Sequence, residues 1–221
     1  WRYSMAITFY CGSGSPPAWR VWLALEHKGL PYRLQMLSFS GGDLKTEDFA
    51  RLNPRKKLPV LTDGGFTLYE SAAIVEYLDE RYPDAGDGLL FPGDAEARAV
   101  TRRIIQEVDH YLAPATGPML REVFYKPEEE RDAAVIAAGR EKLAAELRIF
   151  EGELRGDYLV GRLSAADHAL YPLLALTLRA DLKDRRTDVR GLIGPKLADW
   201  MGRIEALPYY EKTYPPHWKP V

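Results

Sequence analysis

A turn between a predicted strand and a predicted helix carries side chains suited to binding an anion. It runs from Tyr10 to Val21 and places the Ser15 hydroxyl just before two prolines. The amino-terminal end of a helix carries partial positive charge and free N–H groups, so a hydroxyl there favours a bound anion. Considered alone, a plain N-cap is the more common role for such a serine. Tyr10 and Ser13 supply two further hydroxyls in the same turn.

A second segment with chemical potential is Lys56-Lys57-Leu58-Pro59-Val60-Leu61, in which a proline precedes a buried apolar run. A proline has no N–H to donate to a strand ladder. If the Leu58–Pro59 bond is cis, the backbone N–H and C=O of Leu58 become free for a ligand. An ordinary edge-strand proline is the commoner alternative, because only about 5 % of X–Pro bonds in folded proteins are cis.

A third segment, Tyr69-Glu70-Ser71, lies where a strand passes into a helix. The Ser71 hydroxyl and the first free N–H groups of that helix can hold a carboxylate, while Glu70 faces an ammonium group. The alternative is that Ser71 only caps the helix, which is the better interpretation of this segment by itself.

Hydrophobic periodicity predicts how these segments are supported. Strands are predicted over 6–10, 32–37, 58–61 and 66–69, and helices over 15–28, 43–52 and 71–82. The dipeptide Gly64-Gly65 between the last two strands predicts a hairpin turn. The resulting order is βαβαββα. It brings all three segments into one small α/β domain.

The remainder of the chain is predicted to be helical. Glycine, proline and aspartate are frequent from Pro83 to Gly93, which indicates a linker. Beyond it, apolar residues recur at helical spacing in segments that begin near Ala97, Ala133, Ser164 and Leu197. We therefore expect an α/β domain over 5–84 and an all-α helical bundle domain over 94–221.

Composition excludes several classes of function. The 221 residues carry a net charge of −2 with both signs interspersed, so no basic patch predicts binding to nucleic acid or to an anionic membrane. No apolar run is long enough to span a bilayer, and the first residues do not form a signal peptide. One cysteine, Cys11, precludes an intrachain disulfide and fits a reducing compartment. Four scattered histidines offer no metal cluster, so we expect no metal.

Taken together and in this order, the three segments resemble the soluble (cytosolic) glutathione S-transferase family. The similar stretches are SPPAWRVWLALEHKGLPY (15–32), NPRKKLPVL (53–61) and LYESAAIVEYLDERYP (68–83). The resemblance implies a thioredoxin-like first domain, a helical second domain, a homodimer and a cytoplasmic location. It also implies glutathione as co-substrate and a small electrophile as second substrate.

The resemblance further implies a role for individual residues. By its similarity to the serine-type branches of the family, Ser15 is the residue that activates the thiol, with Ser13 and Tyr10 as rivals. Cys11 comes too early to match the cysteine-type branches and is interpreted as a buried spacer. The glutathione-binding residues implied are Lys57, Leu58, Pro59, Glu70 and Ser71. A fourth match, Ser164 to Asp167, is a capping box whose role is structural.

Three functions remain open on this basis. The first is addition of the glutathione thiolate to an electrophile. The second is a glutathione-dependent cis-trans isomerisation of the maleylacetoacetate type, since Trp19-Arg20-Val21 resembles that branch, although Pro16-Pro17 departs from its Ser-Ser-Cys run. The third is a non-catalytic binding module on the same fold. The electrophile is expected near the loop before Ser15, near the helix that carries Tyr111, Pro114 and Met119, and near the aromatic segment 209–218.

Overall fold

The computed structural model describes residues 6–219, which form two compact units. The first unit contains residues 6–91 together with 207–219, and the second contains residues 92–206. The initial segment 1–5, on which the signal-peptide prediction falls, lies outside the described residues. Within the described range, no helix has both the length and the apolar character needed to cross a membrane.

The first unit is built on a mixed four-stranded sheet. Its strands are β1 (Ile7–Cys11), β2 (Tyr32–Met36), β3 (Val60–Asp63) and β4 (Phe66–Tyr69). Their order is β2-β1-β3-β4, with β1 parallel to β2 and antiparallel to β3, and with β3 antiparallel to β4. The predicted Gly64-Gly65 turn joins the last two strands, and Gly64 has the positive φ of +59° that such a turn requires.

Helices complete the predicted βαβαββα order. They are α1 (Pro16–His27), α2 (Glu47–Leu52) and α3 (Ser71–Arg81), and a short 3₁₀ helix (Asp43–Lys45) precedes α2. Adjacent residues of β1 point to opposite faces of the sheet, as the strand period dictates. Phe9 contacts Trp22 of α1, whereas Tyr10 contacts Phe49 of α2. Helix α1 therefore packs on one face of the sheet and α2 on the other.

The second unit is mainly helical over the residues described. Its helices are α4 (Ala95–Glu107), α5 (Ala113–Tyr125), α6 (Ala133–Glu153), α7 (Ala165–Leu178) and α8 (Pro195–Glu205). A π-helical turn (Val108–Leu112) joins α4 to α5 without a break. The predicted capping box is present: the Ser164 side chain accepts from the start of α7, and Asp167 accepts from the Ser164 backbone N–H. The four-stranded sheet with its flanking helices confirms the thioredoxin-like fold of the first part, and helices α4 to α8 confirm the helical second part.

After α8 the chain returns to the first unit. This C-terminal segment, residues 207–219, contains the short helix α9 (Tyr210–Thr213) and a 3₁₀ turn (Pro216–Trp218). Trp19 of α1 anchors it, because its indole Nε1 donates to Thr213 Oγ1 at 3.0 Å. The sequence assigned these residues to the second domain, whereas they are compact with the first. The division into two domains over 5–84 and 94–221 stays a prediction from the sequence.

Candidate functional site

The three sequence-predicted segments meet at one edge of the sheet. Tyr10 is opposite Val60, and Val60 is opposite Tyr69, across three neighbouring strands. Each of these residues lies at or next to the end of its strand. The turn after β1, the segment before β3 and the segment after β4 consequently lie side by side. No sequence-local pattern shows this juxtaposition; it follows from the strand register.

Ser15 is the half-buried N-cap of α1. Its Oγ accepts a long hydrogen bond of 3.5 Å from the backbone N–H of Ala18. Among residues 6–219, no acceptor takes the hydrogen of the Ser15 hydroxyl. Pro16 and Pro17 have no N–H, so this helix end presents fewer backbone donors than an ordinary first turn. The hydroxyl is therefore the main donor that the end of α1 offers to an anion.

The neighbouring candidates have other surroundings. Ser13 Oγ lies 2.5 Å from Nδ1 of His217 and is paired with it. The Tyr10 ring packs edge-on against Phe49, with ring centroids 6.5 Å apart. Cys11 is buried, and burial raises the pKa of its thiol to about 12, which agrees with its interpretation as a spacer. Ser15 is the hydroxyl of this group that combines a helix end with an uncommitted hydrogen.

The Leu58–Pro59 peptide bond is cis, so the edge-strand alternative with a trans bond is wrong. Within the described residues, the backbone N–H and C=O of Leu58 have no hydrogen-bond partner. Asn53 fixes the preceding loop, because its Nδ2 donates to the Lys57 carbonyl at 2.7 Å and its Oδ1 accepts from the Arg55 N–H at 2.9 Å. The loop thus presents the free N–H and C=O of Leu58 beside the turn of Ser15. The Lys57 side chain is exposed.

The start of α3 differs from the predicted serine cap. Glu70 occupies the N-cap position with a φ of +74°, and no side chain caps this helix. Ser71 is instead the first helical residue, and its buried Oγ accepts from Nη1 of Arg20 at 3.1 Å. The capping interpretation of Ser71 is therefore wrong. Among residues 6–219 the Ser71 hydroxyl has no acceptor for its own hydrogen, which is therefore available to donate.

The backbone at this helix end is also available. The N–H groups of Ser71, Ala72 and Ala73 have no acceptor among residues 6–219. Free N–H groups and the helix dipole together favour a carboxylate at such a position. The exposed Glu70 side chain, which has no charged partner in the described part of the chain, adds a negative charge next to them. This pairing suits a ligand that carries a carboxylate and an ammonium on one carbon.

Three residues of this site escaped the sequence analysis. Arg20 is buried on α1 and orients Ser71, which is 51 positions away in the chain. Asn53 holds the loop before Pro59. Phe39 is exposed and covers Gly12, where an added Cβ would lie 2.4 Å from the ring. A buried arginine within the apolar run Trp19-Arg20-Val21 was the one local signal, because a buried charge requires a polar partner.

The residues expected around the electrophile divide into two groups. Tyr111 and Pro114 are exposed on the second unit, Tyr111 by 62 %. Met119 is fully buried beneath Gly139, so its side chain belongs to the core of the second unit. In residues 6–219, no group of three histidine, cysteine, aspartate or glutamate side chains is placed to hold a metal ion.

Fold and site together define a protein of the thioredoxin-like class with free N–H groups at the start of α3 and an uncommitted hydroxyl at the start of α1. Comparison with known proteins gives the family. Residues 14–81 match the glutathione S-transferase N-terminal domain, and residues 119–208 match the glutathione S-transferase C-terminal domain. The chain belongs to the glutathione S-transferase family. The predicted family, enzyme class and co-substrate are thereby confirmed.

Individual relatives agree with this assignment. Glutathione S-transferase A of Pleuronectes platessa is 30 % identical over 96 % of this chain and 92 % of the relative. Glutathione S-transferase 3 of Zea mays is 34 % identical over 90 % and 89 %. The crystal structure of a glutathione S-transferase from the Antarctic clam Laternula elliptica superimposes with a TM-score of 0.79, at 31 % identity, over 96 % and 93 %. A probable maleylacetoacetate isomerase of Vibrio cholerae is 31 % identical over 96 % of each.

Proposed function

We propose that this glutathione transferase is of the serine type and that Ser15 donates a hydrogen bond to the sulfur of bound glutathione. The observation that carries this proposal is the uncommitted Ser15 hydroxyl at the end of α1, beside the segments of Leu58 and Ser71. A thiolate held there attacks an electrophilic carbon, the sulfur–carbon bond forms, and the leaving group or the new carbanion takes up the charge.

The magnitudes are sufficient. A free thiol has a pKa of about 8.5, and lowering it by about 2 units requires about 2.7 kcal/mol. A hydrogen bond to a charged acceptor contributes about 1.5 to 3 kcal/mol. A helix amino terminus adds about 0.3 to 1 kcal/mol. One hydroxyl and one helix end together supply about 1.8 to 4 kcal/mol, a range that includes the required value of about 2.7 kcal/mol without a metal or a general base.

The rest of glutathione is proposed to lie along the same sheet edge. Its γ-glutamyl carboxylate would accept from the Ser71 hydroxyl and the first N–H groups of α3, and its ammonium would face Glu70. Its cysteinyl backbone would pair with the free N–H and C=O of Leu58, beside Pro59. The exposed Lys57 ammonium would approach the glycine carboxylate. The exposed Phe39 ring over Gly12 would contact an apolar electrophile near the sulfur.

We also propose that the protein is a homodimer in the cytoplasm. The family resemblance and the absence of any possible intrachain disulfide support this. Light scattering at micromolar concentration tests the first statement, since it separates one chain of 25.0 kDa from two. Cell fractionation tests the second.

Titration of the thiolate absorbance of bound glutathione tests the role of Ser15. We expect Ser15→Ala to raise the pKa of the bound thiol and to leave the fold intact. Loss of about 2 kcal/mol corresponds to about 30-fold less thiolate well below that pKa. Turnover should fall by a similar factor at neutral pH and recover partly as the pH rises, because more thiolate then forms unaided.

Tyr10→Phe is the matched control, because it removes a nearby hydroxyl from a ring that packs on the α2 face. If Ser15→Ala titrates like the parent while Tyr10→Phe or Ser13→Ala does not, the catalytic hydroxyl is misassigned. Parallel assays with a panel of electrophiles and with a maleyl substrate separate conjugation from isomerisation. Glutathione binding without turnover of either would indicate a binding module.

A further inference from the structure

The turn that carries Ser15 is covered by the C-terminal segment of the same unit. Nδ1 of His217 lies 2.5 Å from Ser13 Oγ. Gly14, with a φ of +77°, lies directly beneath: an added Cβ would be 2.7 Å from Cε1 of His217 and 3.1 Å from Nε1 of Trp218. The positive φ favours glycine at position 14, and a side chain there would displace His217, because the segment lies against the turn itself.

Aromatic packing on α1 holds the segment in place. The Trp19 ring contacts Tyr210, Tyr214 and Trp218, with ring centroids 5.6 to 6.2 Å apart. Trp218 is only 8 % exposed, whereas the neighbouring His217 is exposed. The anchor is therefore apolar and lies on the helix that Ser15 caps. The polar contact of His217 is made to the turn rather than to the anchor.

We infer that residues 214–218 form a strap, a segment that holds the Ser15 turn in position. Within it, His217 is the positioning residue and acts through Ser13. This inference rests on the proposed function of Ser15. Nδ1 can accept from the Ser13 hydroxyl or, when protonated, donate to it, so either form of the imidazole makes the contact. The bond occupies Ser13 and fixes the backbone between Gly12 and Ser15. The Ser15 hydroxyl is then held in one direction for the sulfur. Small misplacements at such a position have large effects on the rate.

Paired substitutions test the strap. We expect His217→Ala to lower kcat by about 10- to 100-fold with little change in KM for glutathione, because the γ-glutamyl and cysteinyl contacts lie elsewhere. Ser13→Ala should give the same loss, and the double variant no further loss, since both remove one interaction. His217→Asn should restore most of the activity, because an amide can bond from the position of Nδ1. Lys219→Ala, which removes an exposed tail ion pair with Glu211, is the matched control.

Amide hydrogen exchange of residues 12–15 in the ligand-free protein supplies a second readout that does not depend on turnover. We expect faster exchange in His217→Ala and parental exchange in His217→Asn. Unchanged kcat and unchanged exchange in His217→Ala would overturn the strap, as would additive losses in the double variant. If Ser15→Ala titrates like the parent, the proposed function of Ser15 fails, and the exchange experiment still decides the strap.

Discussion

Glu70 combines a strained backbone with an exposed carboxylate. A φ of +74° is uncommon for a residue with a side chain, and such strain costs about 1 to 3 kcal/mol. Within the described residues, no side-chain cap at the start of α3 offsets this cost in free energy. A strained backbone that no stabilising contact offsets is typical of a residue that binds a ligand. This accords with the proposed contact of Glu70 to the glutathione ammonium.

Affinity for glutathione tests this interpretation. We expect Glu70→Gln to weaken binding about tenfold, which corresponds to about 1.4 kcal/mol for a lost charge-assisted contact. The loss should appear in KM rather than in kcat, because the contact is remote from the sulfur. Glu80→Gln, which neutralises another exposed acid on α3, should bind like the parent. Calorimetric titration measures both, and equal affinities would remove Glu70 from the site.

Replacement of Glu70 by glycine separates function from structure still further. Glu70→Gly relieves the positive-φ strain, so we expect the free energy of unfolding to rise by about 1 kcal/mol while the affinity falls. A merely structural residue would not give changes of opposite sign. If the glycine variant loses stability, Glu70 contributes to the fold in a way that its contacts do not reveal.

At the scale of elements, α7 depends on a single buried carboxylate. Asp167 accepts from Leu159 N, Ser164 N, Ser164 Oγ and Trp200 Nε1, at 2.8 to 3.1 Å. Burial raises its pKa to about 6, and the donated hydrogen bonds oppose that rise. The carboxylate therefore joins the start of α7 to the preceding loop and to α8. Its role is structural, as the capping box predicts.

We expect Asp167→Asn to lower the free energy of unfolding by about 3 kcal/mol. One of its two oxygens becomes an NH₂ group, which must then face the Ser164 or Leu159 N–H and leave a buried donor unpaired. Ser164→Ala should cost only about 1 kcal/mol, because it removes one capping oxygen. Asp199→Asn, at an exposed position on α8, is the control. Denaturant unfolding monitored by circular dichroism gives all three values, and a cost for Asp167→Asn no larger than the control would contradict this role.

Local patterns predicted the elements that have strong periodicity or a local cap. Helix α1 was predicted over 15–28 and runs from Pro16 to His27, and the box at Ser164 begins α7 as expected. The strand predicted over 58–61 begins later, at Val60, because Pro59 cannot donate to the ladder. Tyr111, Pro114 and Met119 were predicted on one helix; Pro114 and Met119 lie on α5, whereas Tyr111 lies in the π turn that joins α4 to α5, a feature with no signal in the apolar spacing.

Contacts between distant positions were beyond any local pattern. The sequence shows that Arg20 lies on a helix, but not that Ser71 is its acceptor 51 residues away. The approach of His217 to Ser13 spans 204 residues and has no period or spacing that would reveal it. The turn of Ser15 could therefore be identified as a candidate site only together with the family resemblance, and its covering by the C-terminal segment could not be predicted at all.

At the scale of the whole chain, two distant segments converge on the last turn of α1. The linker before residue 92 is fixed by the buried pair of Lys28 with Asp79, 2.9 Å apart, and Asp79 also accepts from the N–H groups of Leu90 and Phe91. The C-terminal segment is fixed by Tyr209, whose hydroxyl lies 3.2 Å from Nδ1 of His27. The end of α1 thus contacts both the segment before residue 92 and the C-terminal segment. The protonation state of His27 therefore affects the stability of the first unit.

We expect His27, at this point of convergence, to make the free energy of unfolding decrease at acidic pH. Burial lowers the pKa of His27 below its usual 6.5, and the nearby carboxylates of Asp87 and Asp79 only partly oppose this. Above pH 6.5, His27 is neutral in both the folded and the unfolded chain and adds no pH dependence. As the pH falls below 6.5 the unfolded chain binds a proton that the folded chain does not, so the free energy of unfolding decreases down to the folded pKa.

Denaturant unfolding at pH 7.5 and at pH 5 measures the effect. His27→Asn keeps a polar group near Tyr209 but cannot titrate, so its loss of stability between the two pH values should be smaller than that of the parent. His110→Asn, at an exposed histidine on the second unit, controls for the loss of an imidazole as such. If parent and His27→Asn lose stability equally between pH 7.5 and pH 5, other groups set the acid sensitivity and the end of α1 is not its origin.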